Sequence, residues 1–185
     1  MRVVSINVGR PREVPFQGET ILTSIFKSPV SGPVIVKSQN LEGDQQSDLT
    51  VHGGVAKAVY VYPSEHYAFW RAELPEAALE WGAFGENLTT EGLLEASTCI
   101  GDRLRVGSAE FVVTQPRMPC FKLGIRFNRP DIIKRFFQSG RSGFYLSVAQ
   151  EGIIRAGDAV TLVSREDDAI TVTDLLTLGR EPHVP

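Results

Sequence analysis

Residues 117–124 read RMPCFKLG, a single thiol with a guanidinium on one side and an ammonium on the other. Positive charge near sulfur favours the thiolate, which is both the nucleophilic form and the form that binds soft metals. Arg117 and Lys122 are the groups placed to do this for Cys120. Pro119 stiffens the approach, and an extended TQPRMP segment would deliver the sulfur at a strand end. A small buried core residue is the competing reading, because cysteine outside disulfides is among the most buried residue types. That reading fits Cys99, which has no charged residue within two positions. Two cysteines 21 positions apart, without a CxxC or paired histidines at finger spacing, argue against a disulfide framework and a structural zinc site.

Two further stretches could meet a ligand. In DLTVHGGVAKAVYVY, 48–62, the consecutive Gly53 and Gly54 beside His52 would let a ligand approach backbone amides, with Lys57 adding charge. Such a turn can hold a phosphate, but its spacing is not that of a Walker loop, and a plain turn before the strand KAVYVY explains it as well. In GAFGENLTTEG, 82–92, Asn87 offers a donor and an acceptor together, which suits the edge of a heteroaromatic ring, and Glu86 could accept from ring nitrogens. A glycine-rich turn fastened by Asn87 is the alternative. No Ser-His-Asp spacing is present; Cys120 with His52 would form a cysteine hydrolase only if the fold brought them together.

These residues need a scaffold. Strand character is found in RVVSINV (2–8), PVIVK (33–37), KAVYVY (57–62), DRLRVG (102–107), EFVVTQ (110–115) and GFYLSVA (143–149). Gly107 and Ser108 suit the tight turn of a hairpin. IGDRLRVG and RAGDAVTLV share Gly-Asp followed by alternation, which predicts a strand-opening device: glycine at positive φ, aspartate bonding nearby amides. Helix is predicted over 63–74 with Ser64 as N-cap, and over 130–138, where Ile132, Ile133, Phe136 and Phe137 would form a buried stripe before Gly140. ITVTDLLTLGREPHVP begins a last helix and stops in a polar tail. The mixture implies a mainly-β protein, a twisted antiparallel β-barrel with a few short helices laid against it.

The 185 residues suffice for one domain with a real core, and 17 glycines with 11 prolines predict many turns. A net charge of −3 argues against a general nucleic-acid or membrane-surface binder, so an anionic ligand must meet a local cluster of cations. No apolar run approaches the roughly 20 residues needed to span a bilayer. The opening MRVVSINVGR reads as a strand and not as a signal peptide, which leads to an expectation of a cytoplasmic protein.

Taken in order, D48…VHGG…KAVYVY, GAFGENLTTEGL, IGDRLRVG, QPRMPCFKLG, SGFYLSV and GDAVTLV resemble a MOSC domain, the module named after the C-terminal part of molybdenum cofactor sulfurases. The match is to the small stand-alone bacterial branch similar to the 6-hydroxylaminopurine-resistance proteins and is strongest over 45–163. The resemblance implies a MOSC barrel of the pyruvate-kinase-barrel-like kind over 1–165, with 166–185 as a tail that starts a truncated helical segment. It implies the molybdenum cofactor, a pterin (molybdopterin) whose dithiolene sulfurs hold the metal and whose phosphate is anionic. Cys120 matches the cysteine proposed in the family as molybdenum ligand and catalytic residue. Lys57, Arg117 and Lys122 become candidates to neutralise phosphate or dithiolene charge, the backbone of Gly53 and Gly54 to approach the cofactor, and His52 and Asn87 to address pterin or substrate.

The activity implied is reduction of small N-hydroxylated compounds, with the oxygen removed and the amine left. Nothing in the sequence resembles a flavin, haem or iron–sulfur site, so electrons would come from a separate reductase. The competing class is a carrier that holds the cofactor, or a persulfide on Cys120, without turning over substrate. The sulfurases' pyridoxal phosphate belongs to a different, larger domain and is not expected here. Relatives commonly continue into a helical C-terminal segment that this chain only begins, so a homodimer or the docking of an electron partner can differ from theirs.

Overall fold

Period-two alternation in RVVSINV gives the first strand, β1 (Arg2–Val8), with Val3 and Ile6 fully buried. The structure is a computed structural model and describes residues 1–47 and 53–179. After β1 come β2 (Arg12–Phe16), β3 (Glu19–Thr23), β4 (Ser28–Pro29), β5 (Val34–Lys37), β6 (Asn40–Leu41) and a single 3-10 turn, Val55–Lys57. Then follow β7 (Val59–Pro63), α1 (His66–Glu73), β8 (Leu88–Glu91), β9 (Arg103–Val106), β10 (Ala109–Pro116), α2 (Phe121–Phe127) and α3 (Ile132–Ser139). The last elements are β11 (Phe144–Gln150), β12 (Gly152–Ile154), β13 (Val160–Ser164) and α4 (Val172–Leu178).

The main sheet runs β13-β9-β10-β11-β7-β8-β1-β4. It rolls up until β1 meets the chain entering β13. Val3 N donates to Asp158 O (2.9 Å), Gly157 N to Val3 O (2.8 Å) and Val160 N to Met1 O (3.0 Å), around a bridge between Arg2 and Ala159. The expected strand-rich architecture with few helices is therefore present, with one correction to the antiparallel expectation: β7 and β8 run parallel. The chain between them crosses through α1 and the loop that follows it, and only such a long connection can return a strand in the same direction.

β7 is buried on both faces. Val59 and Val61 enter the cluster inside the sheet with Phe111 and Phe144, while Tyr60 and Tyr62 enter a second cluster with Tyr67, Trp70, Phe84 and Phe136 from the helical side. In that layer Trp70 Nε1 donates to the Tyr62 hydroxyl at 2.7 Å, so the two buried polar tips satisfy each other. Helix α3 buries Ile132 and Phe136, half-buries Ile133 and Phe137, and ends at Gly140 with φ of 73°. Ser64 is not the cap of α1: the helix begins at His66, and Ser64 is tied by its backbone to Thr90 O (2.7 Å) and to Tyr67 N (3.1 Å). A strand-to-helix turn has taken the serine.

Both Gly-Asp pairs behave as expected. Gly101 and Gly157 have φ of 87° and 94°, and Asp102 and Asp158 each accept a backbone amide, from Cys99 (2.8 Å) and Arg155 (2.7 Å). The tail beyond 165 is not loose throughout. Thr171 and Asp174 form a capping box that starts α4, whose Val172 and Leu176 are buried.

Candidate functional site

β10 is the arm that carries the thiol. Its ladder with β11 runs to Pro116, Arg117 N continues it by donating to Gly143 O (3.2 Å), and Cys120 is still extended, with φ of −128°, where it opens α2. The sulfur-bearing residue is half-buried and lines a cleft that is open to solvent. Lys57, Asn87, Arg117 and Lys122 line the same cleft, so the structure gathers five of the residues singled out in the sequence around one space. Neither cysteine is in a disulfide, and Cys99 is buried elsewhere.

Arg117 is a buried cation of the cleft. It is 5% exposed, and its guanidinium carbon lies 5.0 Å from the centre of the Tyr60 ring and 5.1 Å from that of Phe136. Its Nη1 is buried without a hydrogen-bond partner. Burial works against this charge, but Tyr60, Tyr145 and Cys120 beside it hold its pKa above the ordinary value. Ser24 Oγ, also on the cleft wall, is a second buried polar atom lacking a partner. Buried polar groups are normally bonded, so unsatisfied atoms facing a cleft mark where a ligand's polar groups belong.

The cleft is also lined by a network that sequence reasoning missed. Asp44 accepts from Gly9 N (2.8 Å), from Asn87 Nδ2 (2.9 Å) and from the ammonium of Lys27. Lys27 and Asp44 are both almost completely buried; burial pushes the lysine pKa down, against the pull of Asp44. Asn87 also donates to Asn7 O (3.3 Å) and accepts from Tyr60 N (3.1 Å), so its amide is occupied by the protein. Its neighbour Glu86 is fully buried, accepting from Gly82 N (2.8 Å), Phe84 N (3.1 Å), Thr89 Oγ1 (2.9 Å) and the Tyr67 hydroxyl. It closes its own loop and does not line the cleft.

Gly53 and Gly54 are not among the lining residues. Gly54, at φ of 89°, donates to Gln46 Oε1 (3.0 Å) and accepts from Lys57 N (3.0 Å), making the turn that presents Lys57. His52 lies outside the described residues. Lys27 and Asp44 join the site although no motif announced them, and so do Tyr60 and Tyr145, which lie within the KAVYVY and SGFYLSV stretches but were not singled out there.

Among the described residues no three His, Cys, Asp or Glu side chains cluster as a metal site. A metal at Cys120 would have to bring most of its ligands with it, and that requirement is met by a metal carried on an organic ligand.

The family model described as MOSC domain matches residues 48–161. The chain belongs to the MOSC domain family. Within it, YflK of Bacillus subtilis is 44% identical over 170 residues, covering 92% of this chain and 76% of YflK. A reductase of Gibberella moniliformis is 36% identical over 166 residues, which are 88% of this chain and 29% of that protein. The crystal structure of the MOSC protein YiiM from Geobacillus stearothermophilus superposes with a TM-score of 0.80 at 38% identity, covering 96% of this chain and 83% of that one. The MOSC match spans Lys57, Asn87, Arg117, Cys120 and Lys122, whereas Lys27 and Asp44 precede it.

Proposed function

We propose that this MOSC protein binds the molybdenum cofactor through Cys120 and reduces small N-hydroxylated compounds, drawing electrons from a separate reductase. The observation that carries the reading is the pairing of Cys120 with Arg117 in the cleft, where the guanidinium has a buried N–H with no protein acceptor. A sulfur-rich, anionic group satisfies both at once, because it accepts from Arg117 and adds a thiolate to its metal. The residues present therefore fit the cofactor.

When bound, the cofactor would supply a metal that cycles by two electrons for removal of the oxygen. Cys120 holds it. Arg117 fixes the anionic part nearest the sulfur, and Lys57 and Lys122 line the same cleft for phosphate or dithiolene charge. The Lys27–Asp44–Asn87 network keeps its part of the lining in place, so the cleft does not have to form on binding. The Gibberella relative bears the name reductase, which supports the choice of reaction class. Among the described residues no helix is long and apolar enough to cross a membrane.

The test is elemental analysis of protein made in a cofactor-competent host and in a cofactor-deficient one. About one molybdenum per chain is expected from the first and none from the second, with loss of metal and of hydroxylamine reduction in Cys120→Ala. Retention of both in Cys120→Ala would overturn the reading. A stable persulfide on Cys120 with no reduction would make the protein a sulfur carrier.

A further inference from the structure

The reduction of an N-hydroxyl group needs protons as well as electrons: R–NHOH + 2e⁻ + 2H⁺ gives R–NH₂ and water. The N–O bond breaks, the two electrons reach nitrogen, which takes one proton to become the amine, and the departing oxygen takes the other to leave as water. Cys120 and Arg117 cannot supply that proton, the first being the metal ligand and the second a cation that does not deprotonate in proteins. Of the ammonium groups in the cleft, Lys57 and Lys122 are assigned to the cofactor's anionic parts and Lys27 is held by Asp44, so the donor is sought among the hydroxyl groups.

Two tyrosines stand beside Arg117. They are cross-strand partners on β7 and β11, with ring centres 5.3 Å apart. Tyr60 is already engaged, its hydroxyl donating to Ser142 O at 2.7 Å. Tyr145 differs. Its hydroxyl donates to no acceptor among the described residues, and the residue lines the cleft with Cys120. Arg117 lines that cleft as well. Its position is fixed from behind, since Tyr145 O accepts from Thr114 Oγ1 (3.0 Å) and the strand pairs Tyr145 with Gln115. A rigid, unspent O–H beside the proposed metal ligand is what proton delivery to a bound oxygen requires.

We infer that Tyr145 is the proton donor of the reaction: it hydrogen-bonds the N-hydroxyl oxygen of the substrate and protonates it as the N–O bond breaks. The tyrosinate is steadied by the Arg117 guanidinium until solvent returns its proton, and the second proton comes from solvent. This inference rests on the cofactor reading above.

Tyr145→Phe removes one oxygen and no packing volume. The variant is compared with the parent for molybdenum content, Tm, kcat and KM. In addition, binding of 6-hydroxylaminopurine and of its amine product adenine to the cofactor-loaded protein is measured by calorimetry without an electron donor. Expected are unchanged metal content and Tm, kcat lower by about 100-fold with KM changed far less, and 6-hydroxylaminopurine bound about 5–10-fold more weakly while adenine binds as before. A kcat within about threefold of the parent, or equal weakening of both purines, would overturn the inference. A parent protein without molybdenum overturns the cofactor reading itself, and the inference falls with it.

Discussion

Arg117 rests its guanidinium 5.0 Å above the ring of Tyr60, and the ring is what the charge has in place of an acid. No carboxylate is paired with Arg117 in the described residues, and its Nη1 is unsatisfied. Such a residue costs the folded protein stability and is explained by what it binds.

Arg117→Met is therefore expected to leave the Tm of the cofactor-free protein unchanged or higher, since an uncompensated buried charge is exchanged for an apolar side chain of similar length. The same variant should hold less than a tenth of the parent's molybdenum. A thermal melt and metal analysis on one preparation check both. A clear loss of Tm would show instead that Arg117 is a structural residue.

The two cysteines should separate under alkylation. Cys120 is half-buried on the cleft and Cys99 is 4% exposed, so iodoacetamide should modify one thiol in folded protein and two in denaturant. Mass spectrometry of the tryptic fragments should place the first adduct on Cys120. Bound molybdenum cofactor should suppress it.

Removing the carboxylate of the buried Lys27–Asp44 pair leaves an ammonium in the protein wall. Asp44→Asn is expected to cost about 3 kcal/mol in a urea titration, and adding Lys27→Met should recover at least about 1 kcal/mol by removing the stranded charge. Additive losses in the double variant would mean that the pair is not coupled.

Glu86 yields a pH test. Burial pushes its folded-state pKa above the ordinary carboxylate value, against hydrogen bonds from Tyr67, Gly82 and Thr89. The folded protein therefore binds this proton more readily than the unfolded chain, and the contribution is full below the unfolded value and lost as pH rises through the folded one. Glu86→Gln stays neutral and sets an amide donor among donors, costing about 1–3 kcal/mol. Urea titrations from about pH 4 to 8 should show the gap between parent and variant narrowing as pH rises. A gap that widens would refute the direction.

Legibility in the sequence followed how local each determinant is. The hairpin at Gly107, the Gly-Asp corners and the stripe of α3 each depend on residues within one element, and all were readable. Helix α2 was not, because Gly124 interrupts FKLGIRF; nor was the β2–β3 hairpin, where Pro15 breaks the strand pattern and the turn sits at Gln17 and Gly18, both at positive φ. Within the site, Cys120, Arg117 and Lys122 cluster in six residues and announced themselves by charge and sulfur. Lys27 and Asp44 become meaningful only as a buried pair, a property of their separation in space and not of any motif. For Asn87 the residue type was read and its partners were not, since Asp44 and Asn7 lie 43 and 80 positions away.

The seam between Met1–Val3 and Asp158–Val160 has a consequence for how the protein comes to life. During synthesis the side of β1 that carries Val3 is made long before Asp158 and Val160, and it must wait unpaired on that side until they follow. Such distant pairings slow folding. Until then the edge presents a row of open backbone donors and acceptors, which is where a stray pairing with a second chain would begin.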